Sequence, residues 1–272
     1  MRRLGQHFLT DPGLLQKIAA ALDPGPEDVV LEIGPGKGSL TRVVAPLVGR
    51  VVAIERDGAL ARECEVRNAE SGIDNATVVV GDALRTDWHA LLDPRLDTPH
   101  SALRIPHLKI LGNIPYYITS PLIEKALTPP LPERVVFLVQ REVADRLAAA
   151  PGARSYGALS VGVQAVCRVE KLFGVRAGAF RPPPRVDSAL IRLTPRADPA
   201  VTAAEVPAFR VFVTACFSRR RKQLRNAVMA ATGASGAVVT ALLQRVGLRG
   251  EARPETLAPE DFATLLRASR QL

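Results

Sequence analysis

Apolar residues follow two rhythms along the chain. Leu14, Leu15, Ile18 and Leu22 recur at helical spacing behind Asp11-Pro12, an N-cap followed by proline at the first helical position. They predict a helix ending near Pro24. Val29–Ile33 (VVLEI) is a short apolar run holding one acid, the pattern of a buried strand, and Gly34-Pro35-Gly36-Lys37-Gly38 stops it. Ser39 is positioned to cap a helix through about Leu47. The alternation then repeats: strand 51–55, helix 59–71, strand 77–80, strand 109–112, helix 120–127, strand 134–140, helix 141–149 and a further helix over 158–166. Two later strands, near 168–175 and 188–193, flank the stiff segment Phe180-Arg181-Pro182-Pro183-Pro184. Residues 93–107 carry three prolines and read as a loop. Beyond Pro199 the pattern is helical throughout. Strands alternating with helices imply a parallel sheet covered on both faces. The expected organisation is an α/β domain over residues 1–198 and a small all-helical domain over residues 199–272.

Charge sharpens that division. The chain has 272 residues and a formal charge of +9, from 36 Lys+Arg against 27 Asp+Glu. Residues 1–175 hold 20 of each sign, so the whole excess lies in residues 176–272, with 16 against 7. A neutral module followed by a basic one suits chemistry joined to a polyanion-binding surface. Apolar residues make up 47% of the chain, too many for a disordered one. No apolar run reaches the roughly 18 residues of a membrane span, and the N-terminus has no signal-like apolar core. Cys64, Cys167 and Cys216 are far apart and form no CxxC pair, and His7, His89, His100 and His107 show no ligand spacing. The expectation is a cytoplasmic protein with neither disulfides nor metal.

Four successive strands end on residues with chemical use: Gly34, Glu55, Asp82 and Asn113. In an open parallel sheet ligands bind outside the carboxyl ends of the strands, so these four should share one edge. Gly34, Gly36 and Gly38 would let the backbone approach a ligand, but Ser39 stands where a dinucleotide fingerprint requires glycine. Glu55, 21 residues past Gly34, is suited to accept from both hydroxyls of a ribose and to repel a 2′-phosphate. Asp82 would accept from an adenine amine or cap a helix. Glu32 would lie near a ligand's cationic centre or pair with a basic side chain. In Asn113-Ile114-Pro115-Tyr116, the Asn113 side-chain oxygen and the Ile114 carbonyl would accept from one amino group. Pro115 stiffens the turn and Tyr116 offers a stacking face. That is a clamp for the exocyclic amine of a flipped nucleobase; an ordinary Asn-x-Pro turn is the plain alternative. Phe180 would pack on the same base or sit in the core. Arg219, Arg220, Arg221, Lys222 and Arg225 are expected on one helix, with the last three sharing a face suited to RNA phosphates.

GQHFL (5–9), EIGPGKGSLT (32–41), AIERD (53–57), GDA (81–83), GNIPYYI (112–118), FRPPPRVDSA (180–189) and FSRRRKQLRN (217–226) occur in an order that resembles the KsgA family of small-subunit ribosomal RNA adenine dimethyltransferases. The resemblance runs almost end to end. It implies a Rossmann-like methyltransferase domain using S-adenosylmethionine, plus a small helical domain. It further implies dimethylation at N6 of two adjacent adenines in a hairpin loop near the 3′ end of 16S rRNA, within the 30S subunit or its precursor. The implied cofactor contacts are His7 and Leu9 over the cofactor, Gly34 and Gly36 at its methionine part, Glu55 at the ribose, Asp82 at the adenine, and Asn113 between methyl and target amine. The expected enzyme is monomeric. The chain departs from the family in having His7 where asparagine is usual, a short segment before Gly5, and a long, proline-rich 93–107. The rival readings are an erythromycin-resistance type methyltransferase of 23S rRNA, which shares the NIPY clamp, and a ribosome-assembly factor acting mainly by binding.

Overall fold

The computed structural model describes residues 7–92, 104–218 and 223–271. Its elements in chain order are β1 (Phe8–Leu9), α1 (Pro12–Ala21), β2 (Val29–Ile33), α2 (Thr41–Val44), β3 (Arg50–Glu55), α3 (Gly58–Glu70), β4 (Ala76–Val80), α4 (Trp88–Leu92), β5 (Arg104–Asn113) and α5 (Thr119–Ala126). There follow β6 (Leu131–Gln140), α6 (Arg141–Leu147), α7 (Ala158–Gln164), β7 (Cys167–Val175), β8 (Phe180–Arg181), β9 (Ser188–Pro195), α8 (Val206–Phe217), α9 (Leu224–Thr232), α10 (Gly236–Arg245) and α11 (Pro259–Ser269).

Seven strands form the main sheet in the order β4-β3-β2-β5-β6-β9-β7. The first five are parallel, as the alternation predicts. The expectation of a wholly parallel sheet fails at β9, which runs antiparallel to β6 with Phe137 opposite Ile191. No α-helix separates β7 from β9 in sequence, so no βαβ crossover turns the chain back to a parallel course. The apolar run of β2 is buried because strands flank it on both sides; Val30 and Leu31 are fully enclosed. Each such side chain contributes about 1.5–3 kcal/mol on burial. At the amino end of the sheet, Lys109 of β5 is buried and donates to Asp28 Oδ2 at 2.7 Å and to the Asp23 carbonyl. Pairing is what makes an ammonium tolerable there.

Local signals set several helix starts. Asp11 Oδ1 caps α1 through the Leu14 amide, and Asp57 Oδ1 caps α3 through the amides of Ala59 and Leu60. Ser39 does not cap α2; Leu40 holds that position, without a side-chain bond. The helix expected to run to Leu47 ends at Val44 and continues as a 3₁₀ turn containing Pro46. Residues 104–107, expected in a loop, belong to β5, whose register with β6 shifts between Ile105 and Lys109. The rest of that expected loop, 93–103, lies outside the described residues.

The chain divides into two compact units, one of Met1–Ala144 with Glu170–Pro195, the other of Asp145–Val169 with Arg196–Leu272. This differs from the expected single cut at 198/199 in two places: the later boundary falls at 195/196, and the segment 145–169 belongs with the helical unit. Its polar groups are satisfied there. Tyr156 donates to the Leu257 carbonyl at 2.9 Å, and Gln164 Nε2 donates to the carbonyls of Leu147 and Ala149. The helical unit packs around Phe209, Val213, Leu224, Val228, Leu243 and Phe262, all buried.

Candidate active site

The carboxyl ends of β2, β3 and β5 and the turn after β4 line one cavity. Gly34, Glu55, Asp82 and Asn113 all border it, together with His7, Leu9, Glu32, Gly36, Ile114, Pro115 and Tyr116. The four strand-end residues singled out in the sequence thus converge.

The loop 34–38 holds its shape through the backbone. The Gly34 amide donates to the Ile54 carbonyl and the Gly38 amide to the Pro35 carbonyl, both at 2.9 Å. Gly36 and Gly38 have φ of +57° and +73°. Only glycine adopts such angles without cost, and here space also forbids a side chain. A Cβ on Gly36 would meet the Phe8 ring at 2.9 Å, and one on Gly38 would meet Cys64 Sγ at 2.8 Å.

Glu55 is buried and its two oxygens are divided between two amides. Oε2 accepts from Gly36 N at 3.1 Å and Oε1 from Asp57 N at 2.9 Å. Each carboxylate oxygen keeps a further lone pair for a ligand hydroxyl. Glu32 is 2% exposed and accepts from Thr41 Oγ1 at 2.6 Å, so the alternative of a lysine or arginine partner does not hold. Burial first, and the charge of Glu55 after it, push its carboxyl up to about 7, against the Thr41 hydrogen bond. Asp82 caps locally and also borders the cavity. Oδ1 caps the following turn through Leu84 N at 3.0 Å, while Oδ2 stands 4.0 Å from the Arg56 guanidinium and borders the cavity. The Asp82 turn is fastened from α5 by Lys125. Its ammonium donates to the carbonyls of Leu84 and Thr86 and lies 5.0 Å from the Trp88 ring centre.

Asn113 Nδ2 donates to the His7 carbonyl at 2.8 Å. A carbonyl only accepts, so this bond fixes the amide and leaves Oδ1 as the acceptor. The Ile114 amide donates to the Leu138 carbonyl, tying the turn to β6. Tyr116 Oη is hydrogen-bonded to Ser188 Oγ at 2.8 Å, and its ring stacks on that of His7 with centroids 5.9 Å apart. His7 Nδ1 donates to the Pro182 carbonyl at 2.8 Å, and β1 pairs with β8 beside it. The segment 180–182 therefore anchors His7 and β1, which border the cavity.

Two expectations fail. Phe180 is 1% exposed and belongs to the apolar core with Leu9, Val175 and Leu190, so it has no surface to offer a base. Of the two alternatives for Phe180, the core holds: β8 pairs with β1 and sets it opposite Leu9. The single helix expected to carry Arg219 to Arg225 does not run through Gln223. Gln223 is an extended N-cap with ψ of 151°, and Arg225 lies in the first turn of α9. Arg225 Nε donates to Thr240 Oγ1 at 3.0 Å, binding α9 to α10. Arg219, Arg220, Arg221 and Lys222 lie outside the described residues. Arg56, Lys37 and Tyr117, which no spacing singled out, also border the cavity. Tyr117 is 59% exposed with its hydroxyl 3.4 Å from Arg56. Adjacency to Glu55, Gly36 and Tyr116 is the signal by which these three could have been found.

The model of the family described as ribosomal RNA adenine dimethylase matches residues 1–270. The chain is 39% identical over 267 residues to ribosomal RNA small subunit methyltransferase A of Nitrosococcus oceani, covering 98% of this chain and 94% of that one. It is 40% identical over 266 residues to the protein of the same name from Nitratidesulfovibrio vulgaris strain DP4, covering 97% and 94%. Among solved structures it resembles a dimethyladenosine transferase from Plasmodium falciparum, with TM-score 0.80 and 29% identity over 97% of this chain and 98% of that one. It also resembles the 23S rRNA methyltransferase ErmE, with TM-score 0.71 and 28% identity over 97% and 100%. With its cavity at the carboxyl edge of the sheet, its Asn-Ile-Pro-Tyr turn and a match from one end to the other, the chain belongs to the ribosomal RNA adenine dimethylase family.

Proposed function

We propose that this enzyme transfers methyl groups from S-adenosylmethionine to N6 of two adjacent adenines in the 3′-terminal hairpin loop of 16S rRNA, within the small subunit or its precursor. The cytoplasm, where that RNA is assembled, is then its site of action. The observation that carries the reading is the fixed amide of Asn113, whose Oδ1 is left as an acceptor beside the Ile114 carbonyl at the cavity.

The residues present fit the cofactor. Glu55 offers two buried carboxylate oxygens for ribose hydroxyls, Asp82 an acceptor for the adenine amine, and Gly34, where an added Cβ would meet only the Asn113 carbonyl at 4.0 Å, room for the methionine part, while Gly36 steadies Glu55 through its amide. His7 and Leu9 form the edge over it. S-adenosylmethionine supplies an electrophilic methyl carried on a sulfonium.

The chain's own task is the other reactant. The N6 lone pair of adenine is delocalised into the ring, so the amine is a poor nucleophile. Asn113 Oδ1 and the Ile114 carbonyl accept its two hydrogens and favour a pyramidal, nucleophilic nitrogen. Tyr116 stacks on the base and fixes its plane, which Ser188 steadies through the phenol. Alignment of nitrogen, carbon and sulfur is the requirement that remains, and positioning governs the rate. The alkylated nitrogen is strongly acidic, so no dedicated base is required.

Transfer of tritiated methyl to unmethylated small subunits and, in parallel, to 23S rRNA, with the modified base mapped, tests the reading. Two neighbouring dimethylated adenines in 16S rRNA are expected. Label in 23S rRNA would support the large-subunit reading instead. Asn113→Ala should lower transfer by about 10²–10³-fold, the usual effect of losing one preorganised polar group. Small-subunit assembly rescued equally by that inactive variant would indicate that binding outweighs catalysis.

A further inference from the structure

Glu32 is a buried carboxylate with no cation at hydrogen-bond distance among the described residues. It is 2% exposed, sits in mid-strand in β2, and accepts a hydrogen bond from the neutral Thr41 hydroxyl. Its strand neighbours are apolar, Ala53 on β3 and Leu111 on β5. Of the charged groups that influence it, Glu55 on β3 is a second acid, and Arg42 on α2 directs Nη1 to the Lys37 carbonyl. From α3, Cys64 faces it as a thiol, pushed up to about 11 by burial and by Glu32 itself. Lys37 is committed to Glu63 at 3.2 Å. A carboxylate desolvated without a counter-charge is costly, and the cavity it borders offers the place for that charge.

We propose that Glu32 makes this cavity a charge-selective site, holding the sulfonium-bearing methyl donor in preference to the neutral thioether that remains after transfer. The inference rests on the cofactor reading above and adds a role to it: two successive methylations of one base require spent cofactor to leave, and loss of the positive charge is the change that releases it. Donor and product share their adenosine and amino-acid ends; they differ in one methyl and one charge. Contacts at Glu55 and Asp82 are the same for both, so discrimination must come from a group that reads the charge. Glu32 is the buried acid at the cavity whose oxygens are not divided between loop amides. The sign of the pH dependence follows. Burial pushes the carboxyl up to about 7, so it is mostly neutral at pH 6 and mostly ionised at pH 8. Preference for the cation should rise over that interval.

Calorimetry on the full chain without RNA reads this directly, because no turnover occurs. The ligands are S-adenosylmethionine, S-adenosylhomocysteine, and sinefungin, which has carbon in place of sulfur and carries an ammonium in place of the transferred methyl. In the wild type, the ratio of product to donor Kd should rise several-fold from pH 6 to pH 8. The ceiling is roughly tenfold, the change in ionised fraction of a group titrating mid-interval. Sinefungin should follow the donor. In Glu32→Gln, which keeps an acceptor for Thr41, the ratio should fall toward one and lose its pH dependence. A ratio that is flat with pH and unchanged in Glu32→Gln overturns the inference while leaving the cofactor site intact. Equal weakening of all three ligands in Glu32→Gln would assign Glu32 to the shared amino-acid end and also overturn it. Binding of none of the three would remove the cofactor reading and this inference with it.

Discussion

Glu55 does two things at once: it organises the loop 34–38 through the Gly36 amide and presents its remaining lone pairs to a ligand. Glu55→Ala should therefore weaken S-adenosylmethionine binding by about 1.5–3 kcal/mol, the range for hydrogen bonds to a charged group. Calorimetry returning the wild-type affinity would defeat the ribose assignment. Tyr116 separates along similar lines. Its hydroxyl is bonded to Ser188, and the proposed function assigns its ring to the base. Tyr116→Phe should cost about 0.5–1.5 kcal/mol of stability for the missing hydrogen bond and keep most of the activity. Tyr116→Ala should remove a stacking interaction of about 1–3 kcal/mol and most of the methyl transfer. Equal drops in activity in the two variants, measured at a temperature where both are folded, would show that the ring is not the working part. With Phe180 in the core, Tyr116 is the aromatic of this pair left to meet the base.

Elements are joined by polar bonds that periodicity does not announce. In the helical unit, the last turn of α11 is tied to the start of α8 through Arg267, whose Nε and Nη2 donate to the two oxygens of Glu205 at 2.8 Å. Glu205 also accepts from the Thr202 amide at 2.9 Å. The Arg267 hydrogen bond, above all, holds the Glu205 carboxyl down to about 2. A carboxyl lowered on folding contributes stability that is complete above its ordinary value near 4.5 and fades as pH falls through about 2. Glu205→Gln should be less stable than wild type at pH 7, by on the order of 1 kcal/mol, because solvent screens the half-exposed Arg267. The gap should close as pH drops from 4.5 toward 2. Thermal melts by circular dichroism across that range check it; a gap independent of pH would mean that the pair is not coupled to folding. Arg225 shows the same principle: expected as an RNA-binding residue, it donates across to Thr240 and joins two helices.

At the scale of the whole molecule, the charge is segregated. The +9 excess falls in residues 176–272, while the residues bordering the cavity lie between His7 and Leu138. RNA affinity and cofactor affinity should therefore be separable. Arg221→Ala with Lys222→Ala should weaken binding to a small-subunit RNA fragment at low salt. Each phosphate that the double variant no longer neutralises should flatten the log–log salt slope by roughly 0.7–0.9. S-adenosylmethionine affinity and the identity of the methylated adenine should not change. Parallel salt slopes with equal affinities would move the RNA surface elsewhere in the basic third. Arg225→Ala, by contrast, should act on the stability of the helical unit.

Apart from the short β1 and α4, the order of strands and helices up to β6 was legible because each element carries its own rhythm and its own stop, and the site's edge was legible because strand ends in a parallel sheet share one side. VVLEI, GPGKG and NIPY are local statements about backbone, and the fold kept them. Other assignments depended on partners distant along the chain. Whether Phe180 faces a ligand or the core was decided by the pairing of β8 with β1, which sets it opposite Leu9. No window of sequence spans such a pair. The flip of Asn113 was decided by a carbonyl 106 residues before it, and the partner of Glu32 by a hydroxyl on the next helix. The segment 145–169 joined the helical unit because Leu257 accepts from Tyr156, 101 residues earlier. Propensity and spacing act over a few residues. Burial, hydrogen-bond completion and charge compensation act through space, and they assigned each polar group its role only once the chain had closed on itself.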